Sequence, residues 1–361
     1  MYSMISREMM KMAIRWKTNF KNHNSFVIAG TLLLITLFSL LLRITPFLSG
    51  NPDVISNVGM DDPTYQLRRV ELGIANFPQF GWFDPMTFFP EGQPMHWGPL
   101  FPVMSSALCI LFGAYSRPDI VSLCLLIPCV MAAILVPIVF IITSRLADWK
   151  AGIIAGFFIA ICPGQFFFRS YYGYFDHHIG EVLFSTIFCL FYISALVYCR
   201  DHPVITSDKT TWRIPLILGF LCGVSYVIGL ALMPTMILFA LLVGIFTPVW
   251  FLIQKYQGDY CVCVLLVNVT TFLIAIIGFF IIGVHGEDGL NYYTVGHPLA
   301  YGLIILVSLI LFGISWLLRN HSFFNYILTL LIVTIFGFLL FAIMFPDFFN
   351  YLLNNAYSFF G

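Results

Sequence analysis

The 361-residue sequence is 60% hydrophobic and only 9% charged, with a mean hydropathy of +0.92. No soluble core accommodates that much apolar surface, so lipid is the solvent for most of the chain. Seventeen basic residues balance seventeen acidic ones, and this zero net charge points to neither nucleic acid nor an acidic partner.

Residues 1–25 open with MYSMISREMMKMAIRWKTNFKNHN, which carries five cations and one glutamate. This composition predicts a cytoplasmic amphipathic segment lying at the interface. The apolar run at 26–42 follows without a clean small-residue cleavage site, so it reads as an uncleaved anchor. Further runs of spanning length lie at 119–143, 151–168, 179–199, 214–232, 234–253, 261–283, 299–318 and 325–345. Unpaired backbone is not tolerated in lipid, so all nine runs predict helices. The fold class is an all-α polytopic membrane protein, with a transmembrane domain over 26–345.

A tenth segment, 99–115, is short and holds two prolines. Charge decides its placement. If it does not span, 12 of the 17 basic residues fall in cytoplasmic segments and 5 outside, which is the bias inner loops show. If it does span, the bias disappears. The same assignment places twelve of the seventeen acids outside and makes residues 44–118 one long external loop, with 346–361 opening a second. Long loops without spacer composition are usually functional, so the chemistry is predicted at the outer face.

Two acidic clusters reach that face. In GMDDPTYQLRRVE, Pro63 suits the first position of a helix and Asp62 its N-cap, which gives a capped loop helix with solvated carboxylates. The same residues, with Arg68 and Arg69 one to two turns on, equally suit a site for phosphate and cation. In YYGYFDHHIGEVLF, Asp176 stands where a span begins and is also placed to cap it. His177 and Glu181, and likewise His178 and Glu181, share a helix face, while Asp176 and His178 are placed to point at one ion. Ionisable groups are rare at the hydrocarbon boundary, although interfacial anchoring by mutual hydrogen bonds accounts for them as well. Carboxylates with an imidazole favour Mn2+ or Mg2+ over a thiolate zinc centre, with zinc still compatible. The cysteines at 124, 129, 162, 189 and 222 lie in apolar runs and read as small buried hydrophobes rather than a disulfide framework. The pair Cys261/Cys263 lacks the second half of a zinc site.

CPGQFFFRSYYGYFDHHIGEVLF resembles the second acidic motif of the catalytic subunit of oligosaccharyltransferase, in its archaeal form. DDPTYQLRRVELGIANFPQFGWFDP with FPEGQPMHWGPLF resembles that family's first acidic motif and first external loop. The similarity covers residues 26–200. It implies a GT-C type helical bundle and transfer of a glycan from a polyprenyl (pyro)phosphate carrier to asparagine of an acceptor polypeptide, aided by Mn2+ or Mg2+. By this resemblance Asp62 touches metal and acceptor amide, Asp176 and His178 bind metal, and Arg169 lies near the site. Arg68, Arg69, His177 and Glu181 are the further substrate-binding candidates.

The family has about thirteen spans and then a globular domain with a WWDYG-type motif, which this sequence does not contain. Its second external loop carries a glutamate motif, for which Glu287 and His297 stand one loop too early. The sequence therefore predicts either the N-terminal membrane half of a split catalytic subunit, completed by a second chain, or a compact relative with another acceptor. A carrier or flippase would instead place ionisable groups at midplane in broken helices.

Overall fold

The computed structural model describes residues 25–50, 61–201, 209–258, 262–286, 289–346, 349–350 and 353. The amphipathic N-terminus, Cys261, Glu287, Asp288 and most of 346–361 lie outside the described residues. The structure is a helical bundle: α1 Ser25–Leu48, α2 Asp62–Asn76, α3 Leu100–Leu111, α4 Arg117–Leu146, α5 Trp149–Ile161, α6 Gln165–Phe168, α7 His178–Asp201, α8 Arg213–Leu232, α9 Ile237–Gln257, α10 Val262–Ile282, α11 Gly296–Leu317 and α12 Phe323–Met344. Between α2 and α3, strands β1 (Phe83–Asp84) and β2 (Gln93–Pro94) pair antiparallel.

Among the described residues, eight helices are long and apolar enough to cross a membrane: α1, α4 and α7 to α12. The protein is an integral membrane protein. The nine runs read from the sequence reduce to eight because 151–168 is not one helix. It breaks after Ile161 at Cys-Pro-Gly, where Pro163 lacks an amide proton and Gly164 adopts φ +79°. Segment 99–115 forms only the 12-residue α3, at about 1.5 Å per residue too short to span.

α4 packs on α5 and α7, with α1 laid across α4 and α5. α8 packs between α7 and α10, and α11 covers α10 and α9. A buried polar group ties the second half together. Asn268 on α10 accepts from Tyr192 of α7 and donates to Thr247 of α9 and Ser308 of α11, so all its polar atoms find partners where lipid supplies none. The sequence reading missed one covalent tie. Cys199 at the end of α7 and Cys263 at the start of α10 form a disulfide, a pairing set by helix packing across 64 residues.

Arg43, one of the five basic residues counted as external from the sequence, lies inside α1 and is fully buried. Its guanidinium donates to the carbonyls of Ser39 and Ala160 and to the Ser170 hydroxyl, and it lies over the rings of Phe166 and Phe167. The Arg43 carbonyl accepts from the Tyr172 amide. These bonds hold the irregular stretch before α7 against α1, and that stretch ends at Asp176.

Candidate functional site

α2 brings the first cluster to the start of α7. The N-cap position of α2 is Asp61, at φ 67°, and its side chain makes no capping bond; Asp62 is the first helical residue. The solvated-cap account of Asp62 therefore does not hold. Its Oδ2 lies 3.7 Å from His178 Nε2. α7 begins one residue later than a cap at Asp176 would place it, and Asp176 Oδ1 accepts from the His178 amide at 3.4 Å.

Asp176 is fully buried at the centre of the site. Its Oδ2 pairs with Arg169 and lies 4.0 Å from His178 Nε2, while Oδ1 is 3.0 Å from His177 Nδ1. Glu181 closes the group from below, 2.9 Å from His178 Nδ1. Burial alone would raise Asp176, but the bond from His177 and the positive field of His177, His178 and Arg169 hold it below the usual carboxylate range. Burial likewise lowers His177, and Asp176 and Glu181 more than reverse this, lifting it to about 9. Asp62 is pushed upward by burial and then by the Asp176 and Asp61 charges, against the pull of His177 and His178.

Arg68 and Arg69 are engaged elsewhere. Arg68 forks onto the buried Asp84 at 2.7 and 2.9 Å. Arg69 donates to the Gly81 carbonyl and lies over the Phe80 ring. Both stabilise the loop between α2 and α3. An open depression of about 640 Å³ beside α2 is lined by Asp61, Tyr65, Arg68, Glu71 and Arg117, but Arg117 pairs there with Glu71, and Arg68 with Asp84. His297 is buried against the Pro234 carbonyl and the Phe279 ring, behind the site rather than in it.

Four residues at the site were not singled out from the sequence. Gln66, one turn after Asp62, reaches His177 Nδ1 at 3.2 Å, and its i+4 spacing was a legible signal. Trp97 packs between Tyr65, His96 and His177. His96 is lowered by burial and by His177, and Asp62 acts against this. Thr235 donates to Glu181 at 3.3 Å, and nothing in the sequence marks it.

The donor set fits a divalent ion. An octahedral ion at about 2.1 Å from each ligand needs donors roughly 3 to 4 Å apart, and His178 Nε2 stands 3.7 and 4.0 Å from the two carboxylates. Asp176, His177 and His178 also place ligand atoms within 4.8 Å of one another. Asp62 is the better third ligand. His177 is fully buried with Nδ1 already paired to Asp176, whereas Asp62 and His178 are 26% and 34% exposed and offer an entry path.

Residues 58–307 match the family described as "Oligosaccharyl transferase STT3, N-terminal". The chain belongs to the STT3 oligosaccharyl transferase family. Among curated STT3-type relatives, the dolichyl-phosphooligosaccharide-protein glycotransferase 3 of Archaeoglobus fulgidus is 33% identical over 188 residues, 50% of this chain and 21% of the relative. The dolichyl-monophosphooligosaccharide-protein glycotransferase AglB of Haloferax volcanii is 32% identical over 224 residues, 60% of this chain and 20% of the relative. The chain thus spans about a fifth of the length of these relatives. The Archaeoglobus fulgidus AglB structure in complex with an inhibitory peptide and a dolichol-phosphate superposes with a TM-score of 0.78 at 24% identity, covering 92% of this chain and 39% of that one. A structure of the same archaeal oligosaccharyltransferase with Zn and sulfate gives 0.72 at 24% identity, covering 91% and 43%. The STT3 bundle of this chain is the fold of archaeal AglB.

Proposed function

We propose that this STT3-family chain forms the metal-binding membrane half of an oligosaccharyltransferase, which moves a glycan from a polyprenyl (pyro)phosphate carrier to asparagine of an acceptor polypeptide at the outer membrane face. The observation that carries the reading is the meeting of Asp62 with Asp176 and His178, from segments far apart in sequence, around one imidazole nitrogen. Asp62, Asp176 and His178 would hold Mn2+ or Mg2+, which when bound supplies charge neutralisation for a departing phosphate. An amide nitrogen is a poor nucleophile. The partly exposed Asp62 carboxylate serves to accept from the acceptor amide and orient it. Arg169, anchored on Asp176 and partly exposed, places a second positive charge beside the leaving group. The curated relatives are dolichyl-phosphooligosaccharide glycotransferases, and solved neighbours hold dolichol-phosphate or an NVT acceptor peptide, which supports both partners.

Membranes containing the protein, Mn2+, a polyprenyl-linked oligosaccharide and a fluorescent Asn-X-Ser/Thr peptide test this. A mobility shift of the peptide, lost in Asp176→Ala, is expected. Neither a shift nor release of glycan from the carrier, with either metal, would reject the transferase reading; release without peptide modification would redirect it to another acceptor.

A further inference from the structure

Glu181 stands on the first turn of α7 behind the candidate cation site, and both its oxygens are engaged within the protein. Oε1 lies 2.9 Å from His178 Nδ1 and 3.3 Å from His177 Nε2, while Oε2 accepts from Thr235 Oγ1 at 3.3 Å. An ionised carboxylate only accepts, so His178 Nδ1 carries a proton and Nε2 is the nitrogen turned toward Asp62 and Asp176. With Nδ1–H held by Glu181, Nε2 is the nitrogen left to offer a lone pair to a cation shared with the two carboxylates. Thr235 itself sits in the tight turn Pro234–Met236 that joins α8 to α9, and the Pro234 carbonyl lies 3.2 Å from Nε2 of the buried His297. The chain of contacts therefore runs from α11 through this turn to Glu181 and on to the imidazole.

We infer that Glu181, held in place by Thr235, is a positioning residue: it fixes the tautomer and ring orientation of His178 so that Nε2 meets a divalent cation, and it does not itself bind the glycan carrier. The inference rests on reading Asp62, Asp176 and His178 as cation ligands. An unsupported imidazole divides its time between two tautomers and rotates about its side-chain bonds. A carboxylate on the far nitrogen removes both freedoms and makes the facing nitrogen a stronger donor, an effect worth about 10–100-fold in metal affinity.

The test is calorimetric titration of Mn2+ into the whole detergent-solubilised chain, with pulsed EPR of the bound ion to record the 14N signal of a coordinated imidazole. Glu181→Ala is expected to bind about 10–100-fold more weakly and to lose most of the nitrogen signal. Glu181→Gln keeps an acceptor oxygen for Nδ1–H and is expected to recover most of the affinity. Thr235→Val is expected to lose about fivefold, one hydrogen bond's contribution, with Thr235→Ser restoring it. A purely architectural role would lower the unfolding temperature of these variants and leave Mn2+ affinity and the nitrogen signal unchanged, which would overturn the inference while the ion site stands. Wild-type protein that binds no Mn2+ would instead overturn the ligand reading beneath it. If Glu181→Ala does not fold, wild-type affinity in Thr235→Val would equally count against the inference.

Discussion

The two acidic clusters differ in how their charges close. Around Arg68 and Asp84 each charge has a partner: the guanidinium forks onto the carboxylate, Asp84 also accepts from the Met86 amide, and Arg117 meets Glu71 nearby. Around Asp176 three carboxylates converge on one arginine and two imidazoles, and His178 Nε2 faces Asp62 and Asp176. The first arrangement is complete without a ligand and holds a loop in shape. The second, on the proposed reading, is completed by a cation. Acidic residues alone do not make a site; carboxylates and imidazoles from distant segments converging on one point mark a candidate.

Breaking the joint between the two regions is expected to have the largest effect on stability. Gly98 lies where the loop between α2 and α3 meets the end of α8, and its amide donates to the Leu232 carbonyl. A Cβ there would come within 2.0 Å of the Ala231 carbonyl oxygen and 2.3 Å of the Tyr293 hydroxyl. Gly98→Ala is expected to cost about 3 kcal/mol, or to release the loop, read as a lowered unfolding midpoint and new protease cleavage between 78 and 98. Unchanged stability would mean that the loop is not seated on α8 as described.

Asp84→Asn is expected to cost about 2 kcal/mol. It removes one partner of a pair whose acid is buried and whose arginine is 36% exposed, so the loss is discounted for solvent. Mn2+ affinity should not change, because this cluster is closed. A fall in metal affinity comparable to the stability loss would contradict the contrast between the regions.

The same pair sets an acid dependence. Burial raises Asp84, but the Arg68 bonds and the Met86 amide hold it well below the ordinary carboxylate range. A depressed folded-state pKa stabilises fully above the unfolded value of about 3.9, and that stability is lost as pH falls through and below it. The difference in unfolding midpoint between wild type and Asp84→Asn should therefore shrink between about pH 5 and pH 3. A gap that widens on acidification would reverse the assigned sign.

The smallest effect belongs to Arg117 and Glu71. Arg117 is 66% exposed, so Arg117→Ala is expected to change stability by less than about 0.5 kcal/mol. A loss of several times that would show the pair to be part of the loop's core.

Much of this was legible in the sequence, for reasons that differ by residue. Apolar length alone marked the helices, and the Cys-Pro-Gly stretch after Ile161 carried a readable signal for the one run that broke. Asp176, His178 and Glu181 lie within six residues at the start of α7, so local spacing was enough to group them. The register of Asp62 was not legible. Asp62-Pro63 has the composition of a capped helix start, and only tertiary placement of α2 shows that Asp61 takes the cap position while Asp62 turns to His178. Arg68 and Arg69 misled because local spacing cannot reveal that Asp84 and the Gly81 carbonyl, across a loop, would claim them. Thr235 and the Cys199–Cys263 bond were hidden for the same reason: each is a contact between distant helices.

Calorimetric titration of Mn2+ into wild-type, Asp62→Ala and Asp176→Ala proteins tests the central claim most directly. One ion per chain is predicted for the wild type, with binding weakened at least about 10-fold by each substitution alone, since each removes a ligand of the same ion. Wild-type affinity in Asp62→Ala would contradict the account, because it would mean that α2 and the start of α7 do not share a cation.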